Sequence, residues 1–271
     1  MSGRLSDINV CATNEAALYN EIYQYGYDVA CKNRNAELAK TMYSKCKMSN
    51  ETRYYIACKR DFDVEIKASR ATVKMLNRFV IACESGNINE AFDIYEQNMY
   101  EIHACDLKAA LHAAHDQKHY PLILKFVKIY NVNSATIVSL IRKAISDDDG
   151  DNDHAYIDEL ISYIKPMEAF QVACDVGCNR ITDYLLKSTI DKRQCFIHAC
   201  LSGNSHVVKQ LRWPCCWHYN QALELVCSHT KHINIVELLV DYGADNIAEC
   251  KTLAESKGFD AASNFFKIVG F

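Results

Sequence analysis

The chain repeats one short segment along its length. Residues 79–87 read Phe-Val-Ile-Ala-Cys-Glu-Ser-Gly-Asn, and close copies begin at Phe170 and Phe196. Each copy contains a small residue that also recurs elsewhere, usually before cysteine, and we call this residue the anchor. The nine anchors are Ala30, Ala57, Ala82, Ala113, Ala144, Ala173, Ala199, Val226 and Ala254, and successive anchors are 27, 25, 31, 31, 29, 26, 27 and 28 residues apart. Such a period is typical of arrays in which each repeat is one supersecondary unit.

Around each anchor the pattern predicts two helices joined by a tight turn. The first helix is short and has a small-residue centre, whereas the second is longer and amphipathic, as the spacing of Val207, Val208 and Leu211 indicates. Glycine follows the first helix in four repeats, where a residue with positive φ commonly ends a helix. The sequence therefore predicts an all-α solenoid of about nine stacked helix-turn-helix units, with anchors such as Ala82 and Ala199 buried.

Two segments resemble the ankyrin repeat family. Residues 223–227 (Leu-Glu-Leu-Val-Cys) and 232–245 (His-Ile-Asn-Ile-Val-Glu-Leu-Leu-Val-Asp-Tyr-Gly-Ala-Asp) are similar to its first helix, second helix and Gly-Ala-Asp loop. Residues 196–211 keep the family's spacing, with Gly203-Asn204 where Gly-His is usual. The repeats lack the family's Thr-Pro-Leu-His start and are shorter than its period of about 33 residues. The resemblance implies ankyrin-like repeats whose β-hairpin loops are short or missing.

We expect a single domain over residues 1–271. Residues 1–26 carry apolar residues at helical spacing and predict an N-terminal capping helix pair, residues 27–249 contain the repeats, and residues 250–271 form a C-terminal capping repeat. Residues 146–153 contain five aspartates and predict an exposed loop between two helices of one repeat.

Composition disfavours several classes of function. The net charge is −4 and the pI is about 6.2, so no basic field favours nucleic acid as a partner. The sequence contains no apolar run of the length of a signal peptide or a membrane span. The fourteen cysteines are scattered, which is typical of reduced thiols rather than of a disulfide scaffold. We therefore expect a cytoplasmic protein without membrane contact.

Six cysteines and histidines close together could bind zinc. Structural zinc needs four thiolate or imidazole ligands, and residues 215–232 contain Cys215, Cys216, His218, Cys227, His229 and His232. A structural interpretation competes, because Cys227 follows an anchor and His232 stands near the turn histidine of the ankyrin family. Alternating aspartates at 147, 149, 151 and 153 resemble a calcium loop, but Asp158 stands where such a loop has glutamate. We expect no metal site and no cofactor.

Enzymatic activity is also not expected. A thiol enzyme needs a cysteine with a low pKa beside a base. His198 precedes Cys200 by two residues, and such positions do not face each other on a helix. Cysteines follow the anchors in several repeats, which a packing role explains and a catalytic role does not. The sequence therefore predicts no catalytic residue and no small-molecule substrate.

The expected function is the binding of a partner protein. In the ankyrin family the two residues before the turn glycine point towards a concave groove. The resemblance implies that the equivalent residues bind the partner here, and these are Lys32, Asn33, Lys59, Arg60, Glu84, Ser85, His115, Asp116, Asp175, Leu201, Ser202, Ser228 and His229. Basic residues in the first two repeats and acidic residues in the middle repeats predict an electrostatically polarised groove.

Two kinds of binding protein remain open. Shortened arrays of this type resemble those of large DNA viruses and some intracellular bacteria, and this resemblance implies a scaffold or decoy that sequesters host factors. The alternative is an adaptor that recruits a target to a modifying enzyme such as a ubiquitin ligase. A zinc-binding protein is the third interpretation.

Overall fold

The described residues form α-helices and no strands. The computed structural model describes the backbone of residues 3–147, 154–188, 190–212 and 216–269, and their side chains except those of 3–16 and 216–218. This part of the chain contains eighteen helices, which pack in sequence as nine helical pairs. None of these helices combines the length and the apolar character that crossing a membrane requires. The predicted all-α class and the helical pairing are confirmed.

The chain divides into two compact units, and the first is Met1–Asn133. Its helices are α1 Gly3–Lys32, α2 Ala36–Lys45, α3 Asn50–Lys59, α4 Asp63–Arg70, α5 Met75–Glu84, α6 Ile88–Asn98, α7 Ala104–Asp116 and α8 Tyr120–Tyr130. Each odd-numbered helix packs against the even-numbered helix that follows it. The first helices of the pairs, α1, α3, α5 and α7, also pack on one another in chain order.

The second unit is Ser134–Phe271. Its helices are α9 Ser134–Ser146, α10 His154–Ile161, α11 Pro166–Val176, α12 Asn179–Leu186, α13 Lys192–Ser202, α14 Ser205–Gln210, α15 Cys216–His229, α16 Ile233–Asp241, α17 Ile247–Ser256 and α18 Asp260–Ile268. The first helices α9, α11, α13, α15 and α17 again pack successively, as do the second helices α12, α14, α16 and α18. The same packing of successive helical pairs therefore recurs in both units.

The same backbone turn joins the helices of most pairs. The residue four positions after the anchor has a positive φ, as at Gly86 (75°) and Gly203 (77°). The next amide then donates to the anchor carbonyl, from Asn204 N to Ala199 O over 2.9 Å. The Asn204 side chain also accepts from Val207 N at 3.1 Å and so caps the second helix. The Ser-Gly-Asn sequence therefore ends one helix and starts the next.

The anchors lie in the core, with one correction. Ala82 and Ala199 have no exposed surface, as predicted. Ala113, however, is half-buried, whereas its neighbour Ala114 is fully buried. The residue with positive φ in this pair is Lys118, which follows Ala114 by four positions. The fourth anchor is therefore Ala114, and its spacings are 32 residues from Ala82 and 30 residues to Ala144.

Helix lengths differ from the sequence-based expectation in two places. Residues 3–32 form one continuous helix, so the N-terminal segment belongs to the first helical pair and is not a separate capping pair. The second helix is shorter than the first in several pairs, such as α14 with 6 residues after α13 with 11. Short segments connect successive pairs, such as 46–49 and 131–133, and the described connections contain no strand.

The N-terminal unit buries charged groups between its helical pairs. Tyr27 Oη on α1 donates to Glu65 Oε2 on α4 at 2.8 Å, and Arg53 Nη2 on α3 donates to the same oxygen at 2.8 Å. Glu65 is buried, and its negative charge is compensated by the guanidinium. The arrangement recurs one pair further along, with Tyr54, Arg70 and Glu90 as its members.

Candidate protein-binding surface

The predicted binding residues lie at the ends of first helices, immediately before the turns. Their side chains differ in exposure, and the structure sorts them into three groups. The exposed residues are Lys32, Asn33, Lys59, Asp116, Asp175 and His229; the half-buried residues are Arg60, Glu84, Leu201, Ser202 and Ser228; the buried residues are Ser85 and His115. The two buried side chains expose little surface to a partner.

His115 is buried because the anchor of its pair is Ala114. It therefore occupies the position after the anchor, where Cys83 and Cys200 stand in other pairs. The two residues that precede the turn in this pair are Asp116 and Gln117, and both are exposed. Two adjacent alanines made the position ambiguous, and the turn has lysine at 118 where glycine would have marked it.

Several predicted charges form ion pairs within the chain. Arg60 Nε donates to Asp28 Oδ1 at 2.7 Å, and Arg60 Nη2 donates to Asp28 Oδ2 at 2.5 Å, so this guanidinium joins α3 to α1. Asp175 accepts from Arg142 Nη2 at 3.1 Å and lies 3.2 Å from His198 Nε2. Of the basic residues predicted before the first two turns, Lys32 and Lys59 keep exposed side chains.

A cleft of about 410 Å³ opens in the N-terminal unit beside two consecutive turns. Lys59 and Ser85 from the predicted set line it, together with Lys125 of α8. Asn87 Nδ2 donates to Cys58 O at 3.0 Å and so connects the α5–α6 turn to the end of α3. This bond holds the two turns in contact along one side of the unit.

A second cleft of about 410 Å³ lies in the C-terminal unit and is lined by three consecutive first helices. Ile197 and Leu201 of α13 are its apolar lining residues, and both are half-buried. Residues four apart lie side by side on a helix, so these two side chains form an apolar strip. The remaining lining residues are polar and come from α11, α13 and α15 or from the residue before α13; they are Gln171, Asp191, Arg193, Gln194, His198 and Gln221.

Leu201 is the one predicted binding residue in this second cleft. The glutamines and Ile197 were missed because the resemblance carried over only the two residues before each turn. Ile197 could have been found from the sequence, because it precedes Leu201 by one helical turn. Arg193 Nη2 donates to Gln221 Oε1 at 3.1 Å, and this bond connects α13 to α15 across the cleft.

The thiols belong to the helix interfaces. Eleven cysteines have described side chains; eight of these are buried, and all eleven are free. Burial raises the pKa of Cys58 and of Cys174 to about 12, which keeps both thiols protonated at neutral pH. The thiols of Cys227 and Cys250 are hydrogen-bonded, and this bond raises the pKa of Cys250.

Several residues of the candidate metal sites lie outside the described part of the chain. The side chains of Cys215, Cys216 and His218 are outside the described residues, as are residues 148–153 of the acidic loop. Within the described residues, no three cysteine, histidine or carboxylate side chains are grouped as metal ligands would be. His232 lies against the α13–α14 turn, where a Cβ on Gly203 would come within 2.7 Å of its ring.

Comparisons with protein-family models, with curated proteins and with solved structures found no match for this chain.

Proposed function

We propose that the chain is a non-catalytic, ankyrin-like repeat protein that binds a partner protein along the exposed side of its first helices. The observation that carries this proposal is the cleft in the C-terminal unit, because three consecutive first helices contribute to it. In a stacked array the first helices form a continuous surface, and binding there uses several repeats at once.

The chemistry of this cleft supports a protein partner. The apolar strip of Ile197 and Leu201 supplies area that a partner can desolvate, and the surrounding amides can donate to and accept from a polypeptide backbone. The cleft also contains charge of both signs, since Asp191 and Arg193 line the same wall. A mixed surface of this kind is typical of non-obligate protein interfaces.

The buried thiols support a non-catalytic role. A nucleophilic cysteine needs a lowered pKa and access to a substrate. Burial instead raises the pKa of Cys83 and of Cys200, the thiols that follow two of the anchors. Both side chains are buried in the core.

The proposal can be tested by affinity purification with mass spectrometry, using the wild-type chain and the Leu201→Glu variant as baits. We expect Leu201→Glu to lose the partner, because it places a charge in the apolar strip. Tyr184→Glu is the control, since Tyr184 is an exposed aromatic residue on the second helix α12. A partner that both variants retain equally would contradict binding at the cleft. Circular dichroism of both variants would show that the helices are intact.

A further inference from the structure

Inside the N-terminal unit, each helical pair covers a face of the pair before it. On the first helix of a pair, the residue before the anchor makes this contact. Ile56 of α3 shares a core cluster with Tyr27 of α1, and Ile81 of α5 packs against the cluster around Tyr54 of α3. On the second helix the contact comes from the residue eight positions after the anchor, as when Glu65 of α4 binds Tyr27.

In the first helical pair, the same two positions are not packed against a preceding pair among the described residues. The equivalent positions are Val29 on α1 and Leu38 on α2. With 3.6 residues per turn, the stripe that contains Val29 continues towards the N-terminus of α1 through Tyr25, Ile22 and Leu18. We call the exposed apolar set on this side of the unit the N-terminal end face, and its members are Leu18, Tyr19, Ile22, Tyr25 and Leu38.

The last helical pair ends differently. The residue after its anchor is Glu255, whereas cysteine occupies this position in most other pairs. Glu255 Oε1 accepts from Ser263 Oγ at 3.0 Å and lies 3.9 Å from Lys267 Nζ. Its carboxylate is half-exposed, so binding another helical pair here would require the loss of hydration from a charged group. The N-terminal end face carries no such charge.

Charges of opposite sign border the N-terminal end face. Lys45 follows Leu38 by two turns of α2 and so lies on the same side of that helix, and its Nζ lies 5.7 Å from the centre of the Tyr23 ring on α1. Glu21 is exposed at about the level of Tyr23. At 100° per residue Glu21 lies on the opposite border of the stripe from Tyr23.

We propose that the N-terminal end face is the interface of a symmetric dimer of this chain, in which the two α1 helices run parallel about a two-fold axis. A two-fold axis parallel to the helices brings the acidic border of each copy against the basic border of the other. Glu21 then faces Lys45 of the second copy at about the same level. A two-fold axis across the helices would instead place like charges together, and charge complementarity therefore selects the parallel arrangement.

The area of the face indicates a weak dimer. The five side chains expose roughly 500 Å² on each copy, so the dimer would bury about 1,000 Å², near the lower limit for a specific interface. We therefore expect association in the micromolar range.

Sedimentation of the full chain over a range of concentrations tests the proposal. We expect a concentration-dependent dimer, and we expect Ile22→Glu to weaken it by at least about tenfold, because a charge would be buried without a partner. Ile129→Glu is the matched control: Ile129 on α8 is 53 % exposed and Ile22 is 52 % exposed. Circular dichroism of both variants establishes that any loss of dimer is not a loss of folding.

Charge exchange tests the parallel arrangement. Glu21→Lys alone and Lys45→Glu alone should each weaken the dimer, because each places two like charges together. The double variant restores opposite charges across the two-fold axis and should recover most of the wild-type affinity.

Three outcomes would overturn the proposal. A wild-type chain that stays monomeric at every concentration would exclude the dimer and assign the face to a different protein. An equal effect of Ile129→Glu and Ile22→Glu would place the interface elsewhere. A double variant as weak as the two single variants combined would exclude the parallel arrangement.

Discussion

The two units use the same helical pairs, but the first two pairs of the N-terminal unit fill one core position with tyrosine. Three residues before the anchor these pairs have Tyr27 and Tyr54, and each donates to a buried glutamate that an arginine compensates. Phe79 of the N-terminal unit and Phe170 and Phe196 of the C-terminal unit are apolar at this position, and the residues in place of the glutamates are Leu122, Val207 and Ile235. The backbone arrangement therefore does not depend on whether this contact is ionic or apolar.

The difference affects how each unit tolerates change. A buried ion pair adds little net stability, because desolvation of both charges offsets their attraction, but removal of one partner leaves a charge without compensation. An apolar contact loses only the buried area and the volume that the substitution removes. We therefore expect the N-terminal unit to be more sensitive to single substitutions at this position.

The largest effect should come from Glu90→Ala. The substitution leaves Arg70 without its buried carboxylate and Tyr54 without an acceptor, and we expect it to cost about 3–5 kcal/mol of unfolding free energy. Glu101→Ala is the control, since Glu101 is exposed. Urea unfolding followed by circular dichroism measures both. A loss below about 1 kcal/mol for Glu90→Ala would contradict the ionic account of this contact.

The same position can be made to resemble the C-terminal unit. Tyr54→Phe, Arg70→Met and Glu90→Leu together replace the ionic contact by an apolar one of similar volume. We expect the triple variant to be as stable as the wild-type chain or more stable, in contrast to Glu90→Ala alone.

A second and smaller effect should appear at alkaline pH. Burial raises the pKa of Tyr27 and of Tyr54 far above the ordinary value of 10.0. Above about pH 10 the unfolded chain has released these protons and the folded chain has not, so stability is complete below that pH and falls as the pH rises. Each tyrosine should contribute a loss of about 1.4 kcal/mol per pH unit.

Ultraviolet absorbance of tyrosinate and unfolding measured together would check this effect. Tyr54→Phe should reduce the alkaline slope by one tyrosine, whereas Tyr100→Phe should leave it unchanged because Tyr100 is almost fully exposed. Buried thiols with raised pKa occur in both units and contribute in the variants and in the wild-type chain alike. Titration of Tyr54 at its ordinary pKa in the folded chain would contradict the prediction.

The smallest effect concerns the turns, in which glycine is more frequent in the C-terminal unit than in the N-terminal unit. The residue with positive φ is glycine at 177, 203 and 258 in the C-terminal unit, whereas the N-terminal unit has glycine at 86 and Arg34, Asp61 and Lys118 in its other three pairs. A side chain in this conformation costs about 1 kcal/mol, so we expect Lys118→Gly to stabilise the chain by about that amount. Gly177→Ala should destabilise it by a similar amount, since a Cβ there has no atom within 4 Å and meets only the backbone cost.

Gly203→Ala separates the backbone cost from packing at the turn. A Cβ at this position would approach the His232 ring, so we expect a larger loss than for Gly177→Ala. Thermal unfolding of the two variants side by side would measure the difference. Equal melting temperatures would show that the ring moves away without cost.

Much of the fold could be predicted from the sequence because the turn depends on local chemistry. A small anchor, a residue with positive φ and a capping asparagine stand within six positions at Ala82–Gly86–Asn87, and the hydrogen bonds that form the turn and the cap lie within residues 82–90. The predicted anchor Ala113 was wrong by one residue, because the turn of this pair has Lys118 where glycine would have marked its position. It also placed a break near residue 26, although α1 continues because Gly26 is tolerated inside a helix.

The binding surface could be predicted less well because its properties depend on distant residues. Arg60 was expected to be available to a partner, but it pairs with Asp28, 32 positions away. The cleft around Ile197 is formed by three helices from three repeats. No local sequence pattern predicts which residues of these helices meet there. The position of a charged residue within its repeat predicts which face of the helix it occupies. The residue with which it pairs depends on how neighbouring repeats stack.

The buried thiols have a consequence for the chain once it unfolds. Eight described cysteines are inaccessible in the folded state, and unfolding exposes all of them together. Exposed thiolates oxidise and exchange disulfides, so unfolded molecules would become cross-linked faster than they refold in the absence of a reducing agent. Heating in air would then measure a rate of irreversible loss, and a reversible transition would require reductant throughout. The survival of this protein under oxidising conditions is therefore governed by how rarely its helical pairs separate.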